Sequence, residues 1–279
     1  AAANGGHWAE LAGGGQVTPE ILESNIEKLG KLLIPGINAQ FNSMFLDPYL
    51  WKMQIGGKRL VPKARANGAP LDGIIITAGM PEKEEAVALV KELREGGFPW
   101  IAFKPGAVKQ VKAVLAVARE IPEIPIIIQV EGGIAGGHHS WEDLDELLIN
   151  TYHDIRALDN VVLCVGGGIG TAERAADYVT GTWANVHGLP NMPVDGILVG
   201  TAAMATKEAT TSQSVKELLV ATQGSTEWVP AGGAKNGMAS GRSQLGADIH
   251  EIDNSFARAG RLLDEVAGDE KAVQARRQE

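Results

Sequence analysis

The chain has little cysteine, few basic residues and no long apolar run, and each shortage excludes a class of protein. Its 279 residues include one cysteine, Cys164, which excludes an internal disulfide and a metal site built from cysteines. This usage is typical of the reducing cytoplasm, where we expect the protein to lie. The formal net charge of −9 argues against a nucleic-acid surface, which needs clustered Lys and Arg. Since no apolar run approaches the roughly 18 residues that cross a bilayer, we expect no membrane partner.

Glycine, by contrast, is abundant, with 35 glycines against five phenylalanines. Glycine at this frequency indicates many tight turns, or places where the backbone approaches a ligand. Loops are therefore expected to carry the function.

Short apolar runs recur along the chain, and each is followed by a glycine-rich turn and an amphipathic helical pattern. This rhythm is typical of repeated βα units around a parallel sheet. Because the runs are apolar without alternation, both faces of the strands should be covered. The seven predicted strands are 8–11, 36–41, 73–77, 100–104, 124–130, 161–165 and 195–199.

The predicted fold class is α/β, a TIM-like (β/α)8 barrel whose first strand lies upstream of this chain. Residues 1–225 are assigned to the barrel and residues 226–279 to an appended, mainly helical subdomain. Thr18 is predicted to cap a helix that begins at a proline. Ser140 and Asp143 resemble a capping box for a helix over residues 141–156.

Barrel active sites lie at the carboxyl ends of the strands, and three of the turns there are unusual. They are EGGIAGGHHS (131–140), GGGIGT (166–171) and GTAAM (200–204). The last two suit a phosphate, because glycine N–H groups approach an anion and the next helix adds its partial positive charge. That these glycines only make tight turns remains the alternative.

Four polar or ionisable side chains stand out near these turns. His138 and His139 follow paired glycines, where an imidazole can donate a proton or a hydrogen bond. Adjacent residues point in different directions, so we expect one of the two to face the site. Lys104 ends an apolar strand and must reach solvent, an anionic partner or an electron-rich ring. Cys164 is expected to be a buried packing residue.

Six motifs taken in order carry a family resemblance. Together they closely resemble the enoyl reductase module of bacterial and fungal type I fatty acid synthases, the actinobacterial kind above all, and segment 241–254 continues the likeness. The motifs are AELAGGG (9–15), PGIN (35–38), KPG (104–106), EGG with AGGHHSWED (131–143), CVGGGIGT (164–171) and DGILVGTAAMA (195–205).

The resemblance implies an FMN-binding barrel similar to the stand-alone flavin-dependent enoyl reductases and the nitronate monooxygenases. It implies that His138 is the active-site histidine. The cofactor-binding residues that it implies are Asn38, Lys104, Glu131, Gly136, Gly137, Gly166, Gly167, Gly168, Gly200 and Thr201.

These residues have distinct implied roles. Glycines 166–168, with Gly200 and Thr201, would hold the phosphate of FMN. Lys104 and Glu131 would contact the flavin ring or its ribityl chain, and the paired glycines before His138 would let the loop approach.

The implied reaction is reduction of a trans-2-enoyl thioester by NADPH or NADH through FMN. The implied partners are the acyl carrier protein domain and the other catalytic domains of the same homo-oligomeric synthase. Three alternatives stay open: an FMN oxidase like the nitronate monooxygenases, a structural module of the synthase without cofactor, and a non-redox phosphate-binding barrel such as an isomerase.

Overall fold

The structure, a computed structural model, describes residues 1–224, 229–230, 232–242 and 248–277. Seven parallel strands form one sheet, and their order across the sheet is their order along the chain. These strands are β1 (Glu10–Ala12), β2 (Ala39–Met44), β3 (Leu71–Thr77), β4 (Trp100–Phe103), β5 (Ile126–Glu131), β7 (Val161–Gly166) and β8 (Gly196–Ile197). The prediction of seven βα units is confirmed.

Helices lie between the strands and in the C-terminal part of the chain. Within the described residues, none of them is long and apolar enough to span a membrane. The helices are α1 (Pro19–Leu32), α2 (Pro48–Trp51), α3 (Leu60–Ala66), α4 (Lys83–Glu95), α5 (Val108–Glu120), α6 (Leu144–Arg156), α7 (Ala172–Thr180), α8 (Thr201–Met204), α9 (Gln213–Ala221), α10 (Ser255–Val266) and α11 (Glu270–Ala275).

The two predicted helix caps have different outcomes. Thr18 caps α1, because its hydroxyl accepts a hydrogen bond from the N–H of Ile21 at 3.3 Å. The helix predicted over residues 141–156 is α6, and it begins at Leu144 rather than at residue 141. Asp143 alone caps α6, accepting from the N–H of Asp145 at 2.8 Å. Ser140 lies before the helix, where its hydroxyl donates to the carbonyl of Gly106 and accepts from the N–H of Glu142 at 2.8 Å.

The parallel sheet is curled, with β1 approaching β5 across its inner face. Strands four positions apart in a flat sheet would lie about 19 Å apart, at ~4.8 Å per strand. Yet Gln129 Nε2 on β5 donates to Glu10 Oε1 on β1 at 2.7 Å. Among the described residues, β1 pairs only with β2 and β8 only with β7, so the sheet forms an open half-barrel.

Both faces of the central strands are buried in apolar surroundings. On β3, Ile74 and Ile76 pack into the large core between sheet and helices, whereas Ile75 points to the inside of the curl. There it meets Ala102 and Ile127 of the neighbouring strands. This two-sided burial explains why the strand sequences are apolar without alternation.

A second sheet joins the C-terminal part of the chain to the loop after β5. Its antiparallel strands run in the order β6, β11, β10, β9, where β6 is Gly137–His138, β9 Ala234–Lys235, β10 Met238–Arg242 and β11 Asp248–Ile252. The interpretation of this part as mainly helical missed the sheet, because its strands are short and mix charged residues with glycine. The predicted boundary at 225/226 lies outside the described residues, so the division into domains stays a prediction.

Candidate active site

The carboxyl ends of β4 and β5 place a lysine and a glutamate side by side. Lys104 Nζ lies 3.2 Å from Glu131 Oε2, and both side chains are largely buried. Of the partners that the sequence left open for Lys104, the structure shows an anionic one, the carboxylate at the end of the next strand. Glu131 lies two residues after Gln129 on β5, so its side chain lies on the same inner face as that of Gln129.

The electrostatic state of Glu131 follows from its position. Burial raises the pKa of Glu131 above its ordinary value, and the nearby carboxylate of Glu10 adds to the rise. The ammonium group of Lys104 opposes both effects. A ligand that enters the curl from this edge thus meets an ammonium donor beside a carboxylate.

The three glycine-rich turns meet at this edge of the sheet. A Cβ atom on Gly136 would stand 2.5 Å from Thr201 Oγ1, so the loop after β5 lies directly against the start of α8. Gly167 adopts a φ of +104°, and a Cβ there would stand 3.0 Å from the N atom of Gly132. Gly132 in turn donates its N–H to the Gly166 carbonyl at 3.1 Å.

The predicted phosphate loops differ in how much space surrounds them. Gly168 has a φ of +70°, and a Cβ there would overlap the side chain of Ile134. Around Gly200, by contrast, a Cβ would meet nothing within 4 Å. Open space beside Gly200, next to the first N–H groups of α8, leaves room for an anion. The structure therefore brings Gly136, Gly166, Gly167, Gly168, Gly200 and Thr201 to one edge.

The side chains of the two adjacent histidines, His138 and His139, have different surroundings. His138 lies in β6 and is exposed, and partial burial lowers its pKa below the ordinary value. The ring of His139 turns away and stacks on His250, with ring centroids 3.7 Å apart and an interplanar angle of 11°. The two rings thus point in different directions, in line with the expectation that only one faces a ligand.

Asn38 is not brought to this edge. It precedes β2, which begins at Ala39, and therefore lies at the amino end of the strand, opposite Lys104 and Glu131. The strand was predicted to begin at Gly36, but the N–H of Ile37 donates to the carbonyl of Ile34 at 3.1 Å and closes a turn. The strand is thereby shifted three residues along the chain, and Asn38 does not join the other predicted residues.

Several polar residues of the inner face were missed by the sequence analysis. Glu10 accepts hydrogen bonds from Gln129 at 2.7 Å and from Asn42 Nδ2 at 3.1 Å. Gln129 Oε1 is buried without a hydrogen-bond partner among the described residues. A signal was available, because Gln129 and Glu131 are polar residues two apart in an apolar strand, which places both on one face.

Cys164 lies on the inner face beside the small apolar layer of Ile75, Ala102 and Ile127. It is partly rather than fully buried. Burial raises the pKa of its thiol to about 11, and the carboxylates of Asp195 and Glu10 contribute. The thiol therefore stays protonated at neutral pH and fits a packing role better than a nucleophilic one.

Comparison with known proteins gives one family match and several long relatives. A family described as fatty acid synthase subunit beta/Fas1-like, helical, matches residues 125–279. The fatty acid synthase subunit beta of Schizosaccharomyces pombe is 39% identical over 255 residues, which cover 90% of this chain. Fatty acid synthase 2 of Mycosarcoma maydis is 35% identical over 267 residues, or 93% of this chain. The chain spans only 12% and 7% of the lengths of these relatives.

A solved structure supports the fold. The enoyl reductase domain of MlnA, from the macrolactin biosynthesis cluster of Bacillus amyloliquefaciens, aligns with a TM-score of 0.61 at 17% sequence identity. The alignment covers 92% of this chain and 63% of that domain. At this identity the likeness concerns the arrangement of strands and helices.

Proposed function

Because the chain belongs to the fatty acid synthase subunit beta/Fas1-like family, we propose that it carries the enoyl reductase site of a type I synthase. The proposed reaction is the FMN-dependent reduction of trans-2-enoyl thioesters to saturated thioesters by NADPH or NADH. One observation carries it: the loop that bears His138 lies against the start of α8, beside both predicted phosphate loops.

The residues at this edge fit a flavin mononucleotide. Gly167 and Gly168 hold backbone conformations that residues with side chains rarely adopt, and the open space at Gly200 leaves room for one phosphate. The same edge offers an ammonium and a carboxylate to a polar ring system, at Lys104 and Glu131. A second nucleotide-binding fingerprint is absent from the sequence, which favours FMN over FAD.

A flavin held at this edge would supply the chemistry of hydride transfer between the nicotinamide and the β-carbon of the enoyl thioester. The chain's own residues bind and orient the reactants. Glycines 166–168, Gly200 and Thr201 hold the phosphate, and Lys104 with Glu131 contacts the ring or the ribityl chain. His138, whose pKa is lowered by partial burial, would donate a hydrogen bond to the thioester oxygen and so stabilise the enolate, or would deliver the α-proton from its protonated form.

We expect the purified protein to be yellow and to release FMN on denaturation. Absorbance in the visible range and mass spectrometry of the released flavin measure this. A colourless protein that binds inorganic phosphate would favour the isomerase alternative, and FAD in place of FMN would overturn the phosphate assignment. Turnover of crotonyl thioester without oxygen, and no oxidation of nitroalkanes in air, would separate enoyl reduction from nitronate oxidation.

We also propose that the half-barrel closes into a full (β/α)8 barrel through an eighth strand from the longer polypeptide. The outer edges of β1 and β8 are open among the described residues, and such edges present unpaired N–H and C=O groups. On β7, Val162 shares the inner face with Cys164, two residues along the strand, and is 37% exposed.

Closure predicts that the 279-residue chain alone binds less FMN than a version extended upstream by a few dozen residues. The missing strand would leave the site open to water and the edges free to aggregate. Flavin stoichiometry and size-exclusion chromatography of the two proteins measure the difference. A monomeric, yellow, active protein from the 279 residues alone would show that no further strand is needed.

We propose that the substrate arrives as a thioester on the acyl carrier protein domain of the same synthase. The great length of the curated relatives supports this, because a chain that matches 12% of a relative leaves room for many other domains. The other catalytic domains of a homo-oligomeric synthase would then be its structural neighbours.

A further inference from the structure

His250, on β11, is a buried histidine that reaches the loop carrying His138. Its side chain is almost fully buried, with 4% of its surface exposed. Its Nδ1 atom lies 3.0 Å from the carbonyl oxygen of Ala135, in the loop after β5. Its Nε2 atom lies 3.2 Å from the carbonyl oxygen of Val229. The ring therefore bridges the loop after β5 and the C-terminal part of the chain.

Both contacts of the His250 ring require donation by the imidazole. A carbonyl oxygen only accepts, so each contact is a hydrogen bond only when that ring nitrogen carries a proton. A neutral ring can donate a hydrogen bond to only one of the two carbonyls, whereas a doubly protonated ring can donate to both. Whenever Nδ1 carries a proton, a hydrogen bond joins the backbone of Ala135 to β11.

The His139 ring is fixed by the same residue. It stacks on the His250 ring at a centroid distance of 3.7 Å. Its Nδ1 atom lies 2.7 Å from the carbonyl oxygen of Ser140, and its backbone N–H donates to the carbonyl of Asp248 at 3.4 Å. The loop is thus held on both sides of His138, at Ala135 and at His139.

Strand pairing sets the direction of His138. In the antiparallel pair of β6 and β11, Gly137 lies opposite His250 and His138 lies opposite Ile249. Cross-strand partners share a face and successive residues alternate, so His138 points away from the face that carries His250. A slip of one residue would turn His138 inward, and the contacts of His250 oppose that slip.

We propose that His250 is a positioning residue, which holds the loop through Ala135 and His139 and thereby aims His138 at the reacting thioester. The identity of His138 as the reacting group rests on the proposed function. The anchoring of the loop does not, because it is built from contacts within the chain.

The test compares His250→Ala, His250→Asn and His250→Gln, with His153→Ala on the outer helix α6 as the control. Asparagine places its amide N–H where Nδ1 stands and keeps the bond to Ala135, whereas glutamine reaches the Nε2 position and loses that bond. Hydrogen–deuterium exchange of the peptide covering residues 135–139, read by mass spectrometry, reports the anchoring without any cofactor.

We expect exchange to be roughly tenfold faster in His250→Ala and His250→Gln, because each loses a buried hydrogen bond to the loop. His153→Ala should match the unmodified protein. His250→Asn keeps the bond to Ala135 but loses the ring that stacks on His139, so it should exchange more slowly than His250→Ala and His250→Gln. Equal exchange in the alanine and asparagine variants would overturn the proposal, as would a general loss of protection that extends to β5.

Kinetic measurements on the same variants then give the effect of the anchor on the two half-reactions. In stopped-flow experiments we expect His250→Ala to slow the enoyl half-reaction about tenfold and to leave flavin reduction by the nicotinamide within about twofold, with His250→Asn restoring part of the lost rate. Altered exchange with unchanged enoyl reduction would confirm the anchor but refute its role in aiming His138. Failure to bind flavin at all would count against the proposed function, while the exchange result would still decide the anchoring.

Discussion

Replacing Gly167 with valine is expected to empty the flavin site. Gly167 holds a φ of +104°, which a β-branched residue adopts only with strain, and a Cβ there would stand 3.0 Å from the backbone N of Gly132. The loop must therefore move away from the end of β5, and its N–H groups leave the proposed phosphate position. Flavin content per protein, measured by absorbance, should fall by about tenfold or more, since several backbone hydrogen bonds to a charged group are lost together.

The matched control is Gly170→Ala in the same loop. Gly170 has no positive φ, and a Cβ there would lie 3.7 Å from the Cβ of Ala202, an ordinary contact. This variant should keep its flavin and its melting temperature. If Gly167→Val bound FMN as well as Gly170→Ala does, the phosphate would have to lie elsewhere.

His138→Ala is expected to keep FMN bound and to slow the enoyl half-reaction by ~10²–10⁴-fold, the usual contribution of a positioned proton donor. Reduction of the flavin by NADPH or NADH should change far less, because no proton is supplied to the substrate in that step. Stopped-flow absorbance separates the two half-reactions. Because His138 is exposed on β6, its replacement should leave the fold intact, and a selective loss would then report on the reaction.

His139→Ala serves as the neighbouring comparison. The His139 ring turns away and stacks on His250, so its loss should slow the enoyl half-reaction less than the loss of His138. Equal losses in both half-reactions of His138→Ala would instead mark His138 as a residue that positions the cofactor.

Much of the parallel sheet was predictable because its signals are local. Apolar runs that are covered on both faces, followed by glycine turns and helical patterns, identify βα units without knowledge of their neighbours. The position of a strand within its run was less certain. Gly36 was predicted to start an apolar strand, but it lies in a turn, so β2 begins at Ala39 and Asn38 lies at the amino end of the sheet.

The sequence by itself determined the seven βα units, the glycine loops at their carboxyl ends and the residue types available there. Only the tertiary structure decided which of these residues meet. The ion pair of Lys104 with Glu131, the contact of Glu10 with Gln129 over 119 residues, and the stacking of His139 on His250 all join segments far apart in the chain. Local propensity carries no information about such pairs, because they arise when the sheet curls and when β11 pairs with the loop after β5.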